Sequence, residues 1–430
     1  PFENKEIFEA NFPADFIAEG VDQTRGWFYT LHAIGTMLFD SVAFKNVVSN
    51  GLLLDAKGEK MSKTKGNVID PFGLIDEHGA DAARWYMISN SQPWDNLKFD
   101  VKGLKETKGK FFGTLYNTYS FFALYANIDG FSYDESKIIP VNDRPEIDKW
   151  IISRLNSLTR DVDALVGDYE PTRAARAIQS FVEDHLSNWY VRLCRKRFWQ
   201  TAKEADAQDK QAAYQTLYTC LKTVAQLMSP ISPFFSEFLY RNLSNTSDQA
   251  DLSVHTSYFP EVAEDLIDKE LEERMKYAQE ICSLVLSLRK KENIKVRQPL
   301  SRILVPVLED GLQAKIEAVE DLIMTETNLK KVEYVSDTTG IFTKQIKPNF
   351  KELGRKLGGK MKQVQQAIQA FGQEEIAQIE QNNVYPLDIE GETVEITLND
   401  VVITSEDIPG WLVNSANGLT VALDTKISDA

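Results

Sequence analysis

Residues 52–71 read LLLDAKGEKMSKTKGNVIDP. Three leucines close a β-rich run, and Asp70–Pro71 is a helix-start signal. Between them, Lys60, Lys63 and Lys65 crowd around Ser62 and Thr64, with Gly58 and Gly66 outside. The whole chain carries 48 Lys+Arg against 64 Asp+Glu, a net charge of -16, so positive charge on this loop runs against the composition. A Lys/Ser/Thr loop bounded by glycine suits a polyphosphate: lysine is a compact cation with three donors, and hydroxyls and backbone N–H groups add bonds to phosphate oxygens. A mobile cation can also bind a transition state better than a ground state. The competing reading is a solvated basic turn between strand and helix. The GxxxxGK[ST] spacing of a Walker loop is absent.

Outward from the loop, residues 1–100 read as α/β. ADFIAEG is a short strand, DQTRGWFYTLHAIGTMLFD has helical spacing, NVVSNGLLLD is β-rich, and DPFGLIDEHGADAARWYMIS is helical. Alternating strands and helices imply a parallel sheet, in which ligands bind at the carboxyl ends of strands. Both AEGVDQTRGWFYT, residues 18–30, and the lysine loop follow candidate strands.

KMSKT at 60–64, within LLLDAKGEKMSKTKGNVIDP, resembles the KMSKS signature of class I aminoacyl-tRNA synthetases, whose loop closes over ATP during amino-acid adenylation. The resemblance implies that Lys60 and Lys63 are catalytic, binding the departing pyrophosphate and the charge developing at the α-phosphate. Met61, Ser62 and Thr64 complete the nucleotide-binding segment, with Thr64 in place of the usual final serine. AEGVDQTRGWFYT resembles the adenylate-binding segment of isoleucyl-tRNA synthetases and implies that Glu19, Gly20, Asp22 and Gln23 hold isoleucyl-adenylate. Read from the residues alone, the same segment is a strand end and helix cap, with Asp22 as N-cap and Arg25 paired locally. Valyl and leucyl enzymes share the architecture, but DQTRGWF is not their wording. HAIGT at 32–36 is a near miss for the HIGH signature of this class, with the wrong spacing on the wrong helix. The chain therefore resembles the C-terminal part of an isoleucyl-tRNA synthetase, without the HIGH half of the catalytic domain or the editing domain. On this reading the fragment binds tRNA and is inactive alone; a non-catalytic RNA-binding module is the alternative from another class.

Residues 101–300 are almost wholly helical in pattern and read as a bundle with short loops. SNWYVRLCRKRFWQTAK, residues 187–203, places Arg192, Arg195, Lys196, Arg197 and Lys203 among Trp189, Tyr190, Phe198 and Trp199, with no acid. Helical spacing puts Arg192, Lys196 and Lys203 on roughly one side. Cations neutralise phosphates and aromatics stack on splayed loop bases. The alternative packs the aromatics into the bundle and leaves the cations in water. The stretch resembles the family's anticodon-binding helical domain, which makes Trp189, Arg192, Arg195, Lys196 and Arg197 tRNA-binding candidates. LRKKENIKVRQPLSRILV, residues 288–305, is a second basic stretch including Arg289 and Arg297; for Arg297, a tRNA contact and a brace at the domain junction stand as equal readings. KQIKPNFKELGRKLGGKMKQV, residues 344–364, adds Lys351, Arg355, Lys356 and Lys360 as candidates for the phosphate backbone, against the reading of a solvated helix and turn.

The expected fold is multidomain, α/β + α + α+β: residues 1–100 as the C-terminal part of a Rossmann-type catalytic domain, 101–145 as a connecting helical segment, 146–300 as the helical anticodon-binding domain, and 301–430 as a small α+β domain. Cys194, Cys220 and Cys282 are too dispersed for a zinc set or a disulfide framework. With KPNFKELGRKLGGKMKQV, this resembles the zinc-free, eukaryote-like branch. Expected ligands are ATP with Mg²⁺, isoleucine and its tRNA, without zinc. No apolar run approaches the ~20 residues that cross a bilayer, and PFENKEIFEA has no secretory pattern. A monomeric cytoplasmic enzyme is expected, and the non-Met start suggests a piece of a longer chain.

Overall fold

The computed structural model describes residues 3–62, 64–200, 206–244, 253–307, 311–336, 343–350, 352–353, 361–372, 375–376, 378–379, 383–389, 392–406 and 410–425. The chain packs as two compact units, Pro1–Asp268 and Lys269–Ala430.

The first unit opens with helix α1 (Lys5–Asn11) and strand β1 (Ala14–Gly20), followed by helix α2 (Trp27–Phe39) and strand β2 (Phe44–Asn50). β1 and β2 pair in parallel, with Glu19 opposite Ser49 and Gly20 opposite Asn50. Parallel partners need a crossover, and α2 supplies it. Two short strands, β3 (Leu53–Leu54) and β4 (Leu97–Lys98), form a second parallel pair around helices α3 (Pro71–His78) and α4 (Ala80–Asn90). Asp70 caps α3 by accepting from the N–H groups of Phe72 and Gly73, both at 3.2 Å, with Pro71 fixing the first turn. At Gly51 two backbones meet: a Cβ there would lie 2.2 Å from the Asp95 carbonyl oxygen. The Gly51 N–H donates to Pro93 O at 2.8 Å, so only glycine admits this approach. Residues 1–100 thus hold strands and helices with parallel pairing, in two separate strand pairs among the described residues rather than one sheet.

Helices then dominate: α5 (Val101–Thr107), a π turn over Lys108–Phe112, α6 (Gly113–Asp129), α7 (Glu146–Gly167), α8 (Pro171–Ser180), a π-helical stretch Phe181–Val191, α9 (Arg192–Trp199), α10 (Ala207–Met228) and α11 (Pro233–Ser244). Their apolar faces make the core, with Trp85 stacked on Phe111 at 4.3 Å and Trp150, Phe122, Phe181, Leu217 and Tyr218 buried. α4, which follows the lysine loop, is fastened to this bundle. Arg84 donates to the carbonyls of Ile231 (2.8 Å) and Pro230 (3.3 Å), Arg176 to those of Ser89 (2.7 Å) and Asn90 (2.8 Å), and the buried Asp81 accepts from Phe235 N–H at 2.6 Å.

In the second unit, helix α12 (Lys269–Lys291) precedes strand β5 (Ile303–Pro306), helices α13 (Leu312–Glu317) and α14 (Glu320–Thr327), and strands β6 (Val332–Val335) and β7 (Thr343–Pro348). Helix α15 (Met361–Gln369) and strands β8 (Val384–Ile389), β9 (Glu392–Thr397), β10 (Val401–Glu406), β11 (Trp411–Ala416) and β12 (Leu419–Asp424) follow. One sheet has the order β11–β12–β5–β6, with β5 and β6 parallel; β7 pairs with β10 and β8 with β9, both antiparallel. Ile346, Val364, Ile368, Leu387, Ile396 and Val401 share a core. Arg289 is no surface cation: 1% exposed, it donates to the carbonyls of Lys295, Gln298 and Asn328 at 3.0–3.2 Å and so ties the end of α12 to the following connection. Arg297 itself is exposed.

Candidate functional site

The carboxyl end of β1 carries Glu19 and Gly20 into a 3₁₀ turn, Val21–Arg25. Asp22 folds back over Gly20, where a Cβ would sit 2.7 Å from Asp22 Oδ1. Asp22 is not the helix cap. Gly26 holds that position, and Gln23 Oε1 accepts from the first helical N–H, that of Trp27, at 2.8 Å while its Nε2 reaches Asp22 Oδ2 at 3.4 Å. Glu19 and Asp22 are exposed, and Gln23 is half-buried. The segment thus presents two carboxylates at a strand end, with an amide held beside them.

The lysine loop leaves β3 at Leu54 and folds back, Lys60 forming an isolated antiparallel bridge to Leu54. Asp55 accepts from the N–H groups of Lys57 (3.0 Å) and Glu59 (2.8 Å) and from Asn67 Nδ2 (2.8 Å). These bonds, that from Asn67 first, hold its carboxyl below the usual carboxylate range. Asn67 Oδ1 accepts from Ser62 N–H at 2.9 Å, and Ser62 Oγ accepts from Lys65 N–H at 3.2 Å. Lys65 pairs with Glu59 at 3.1 Å, which partly neutralises it. Lys60 is exposed, Met61 and Ser62 are half-buried, and Thr64 is exposed. Lys63 lies outside the described residues. Two lysines that look alike in sequence therefore differ: Lys65 has an acid on it, and Lys60 projects into solvent.

The basic helix separates its candidates more sharply. Trp189, Tyr190 and Phe198 are 5%, 0% and 1% exposed; Trp199 is 55% exposed. Trp189 cannot offer its ring to a base without unpacking the bundle. Arg197 is equally committed, giving two 2.8 Å bonds to Asp148 and a further ion pair to Asp209 at 2.8 Å. Tyr190 Oη donates to the same Asp148 at 2.6 Å. Burial opposes charge on Arg197, but the Asp148 bond and the nearby anions outweigh it and raise its pKa. Arg192 lies over the Trp189 ring at 5.4 Å and donates to Asn188 O. Arg195, Lys196 and Trp199 are the exposed face of α9. Trp189 and Arg197 thus leave the accessible set and Trp199 enters it. Lys203 lies outside the described residues, as do Lys351, Arg355, Lys356 and Lys360 of the third basic stretch, where Lys347 on β7 is exposed.

A family model described as tRNA synthetases class I (I, L, M and V) matches residues 1–100, and one described as the anticodon-binding domain of tRNA ligase matches residues 148–304. The isoleucine–tRNA ligase of Cytophaga hutchinsonii is 59% identical over 431 residues, covering 100% of this chain and 38% of that protein. Along its whole length this chain is similar to class I isoleucine–tRNA ligases. The isoleucine–tRNA ligase of Bacteroides fragilis is 56% identical, again over 100% of this chain and 38% of its own length, and that of Thermus thermophilus is 40% identical over 100% and 41%. The chain thus spans about 38% of the length of the curated relatives it matches first.

Two residues of the loop escaped the sequence reading, Asp55 and Asn67. Both lie within residues 52–71. An Asx residue at each foot of a glycine-bounded loop is a turn-forming signal that could have flagged them.

Proposed function

We propose that the enzyme of which this chain is a part joins isoleucine to its tRNA in two steps. An isoleucine carboxylate oxygen attacks the α-phosphorus of ATP; the bond from that phosphorus to the bridging oxygen breaks, and pyrophosphate leaves. A ribose hydroxyl of the tRNA 3′ end then attacks the aminoacyl carbonyl, and AMP leaves. The 59% identity to an isoleucine–tRNA ligase along the whole chain carries this reading. Lys60, with Lys63, would meet the departing pyrophosphate. Glu19 and Asp22 would accept from ribose hydroxyls, and Gln23, held by Trp27 N–H, would orient the adenylate. Mg²⁺ would enter with ATP and neutralise phosphate charge; among the described residues no three His, Cys, Asp or Glu converge as a metal site.

The exposed face of Arg195, Lys196 and Trp199 would meet the anticodon arm, two cations on phosphates and one ring on a splayed base. This chain alone would bind tRNA and not adenylate. The stretch KPNFKELGRKLGGKMKQV supports assignment to the zinc-free, eukaryote-like branch, and metal analysis of the purified full-length protein tests it. The deciding experiment is ATP–pyrophosphate exchange by the full-length enzyme with isoleucine, valine and leucine in turn. Isoleucine-dependent exchange is expected, and exchange with none of the three would overturn the proposal. In the same enzyme Trp199→Ala is expected to weaken tRNA binding by about 5- to 150-fold, from ~1–3 kcal/mol of base stacking, while Trp199→Phe keeps most of it. Unchanged binding by Trp199→Ala would remove this helix from the interface.

A further inference from the structure

We infer that Asp55 and Asn67 are positioning residues for adenylation: together they form a clasp that fixes the shape of the lysine loop. The inference rests on the reading above that this loop meets ATP. Asp55 and Asn67 stand at the two feet of the loop, yet their side chains meet at 2.8 Å. Each organises one half of what lies between. The free oxygen of Asp55 takes the N–H groups of Lys57 and Glu59 and shapes the first turn. The Asn67 amide takes Ser62 N–H at 2.9 Å and reaches the Lys60 carbonyl at 3.3 Å. The clasp therefore grips the backbone of Lys60 and Ser62 while leaving the Lys60 side chain exposed. Both Asp55 oxygens and both ends of the Asn67 amide are engaged within the loop, so their role is exerted through Lys60 and Ser62.

The physical need is plain. A loop rich in glycine and lysine samples many backbone states, and ordering it on each ATP encounter costs conformational entropy. A clasp at its feet removes that cost beforehand and aims the cation where charge develops. The carboxylate–amide pairing is also directional. Two carboxylates at these positions repel, whereas exchanging the two groups keeps nearly every bond. In an Asp55→Asn/Asn67→Asp enzyme, the new amide oxygen can accept from Lys57 and Glu59 N–H and its NH₂ can donate across the loop. The new carboxylate still accepts from Ser62 N–H, and only the contact to Lys60 O is lost.

The test uses the full-length enzyme in four forms: unmodified, Asn67→Asp, Asn67→Ala and the exchanged double variant. Isoleucine-dependent ATP–pyrophosphate exchange is measured beside single-turnover transfer from preformed adenylate to tRNA. Asn67→Asp is expected to lower kcat for exchange about 10- to 100-fold, the scale of a small misplacement of a reacting group. The KM for isoleucine and the transfer rate stay unchanged, and the double variant recovers to within about threefold of the unmodified enzyme on the same scale. Single variants that exchange at the unmodified rate would overturn the inference. So would a double variant no better than Asn67→Asp, since the loss would then not come from the pairing. Amide hydrogen exchange at residues 57–62 is followed in parallel, rising in the single variants and restored in the double one. If the unmodified enzyme shows no isoleucine-dependent exchange, the functional reading fails and the adenylation role with it, while the amide-exchange arm still judges the clasp.

Discussion

Arg197→Ala should be among the most damaging single changes in the first unit, although Arg195→Ala two residues away should cost almost nothing. Asp148 is fully buried and Arg197 is 14% exposed at the side chain. The guanidinium gives Asp148 two bonds at 2.8 Å and also bonds the Asp209 carboxylate and carbonyl. Truncation to alanine leaves Asp148 in the core with Tyr190 Oη as its remaining partner in this network. Removing one partner of a buried ion pair costs about 3–5 kcal/mol, most of it the penalty on the charge left behind. That is a large fraction of the ~5–15 kcal/mol that holds a typical native protein together. Arg195 is exposed, and such surface changes stay within about 0.5 kcal/mol. Urea unfolding followed by far-UV circular dichroism, read at the transition of the helical unit, measures both. The double variant Asp148→Leu/Arg197→Met supplies the decisive comparison, because replacing a buried pair with apolar groups is often neutral. An Arg197→Ala loss below about 1 kcal/mol would refute the reasoning and mean that water reaches Asp148 freely. A double variant as unstable as the single one would refute it differently, showing that packing and not the orphaned charge sets the cost.

Two further outcomes follow from single sites. Burial raises the Asp81 carboxyl above its ordinary 3.8, against the opposing Phe235 N–H. A raised acid favours the folded state when protonated, so its stabilising contribution is present below 3.8 and lost as pH rises through the folded value; urea midpoints of Asp81→Asn should lack that fall, and parallel pH profiles of the two proteins would count against it. Gly51→Ala places a methyl 2.2 Å from Asp95 O, in backbone that cannot swing aside; a loss of about 1–3 kcal/mol is expected from such overpacking, read as a lowered urea midpoint, and an unchanged midpoint would mean that residues 93–97 relax freely.

Read by itself, the sequence determined the local features of this chain. Asp70–Pro71 starts a helix, strand-like runs alternate with helices before residue 100, and a lysine–hydroxyl loop sits between glycines. These signals are legible because each depends on neighbours a few residues away. Charge and periodicity also marked residues 187–203 as a basic, aromatic stretch of helical pattern. They could not say which aromatic faces water. The π-helical stretch Phe181–Val191 breaks the 3.6-residue period just before it, and burial of Trp189 beside exposure of Trp199 is set by what the helix packs against. Arg195 and Arg197 are equivalent cations until Asp148, 49 residues away in the chain, is brought beside one of them. Lys65 and Lys60 likewise differ only because the folded loop lays Glu59 against Lys65. Composition and short-range spacing determine which chemistry is available. Tertiary structure decides which of those groups are used up internally and which remain to meet a ligand, because pairing and burial depend on distances that residues far apart in sequence acquire only on folding.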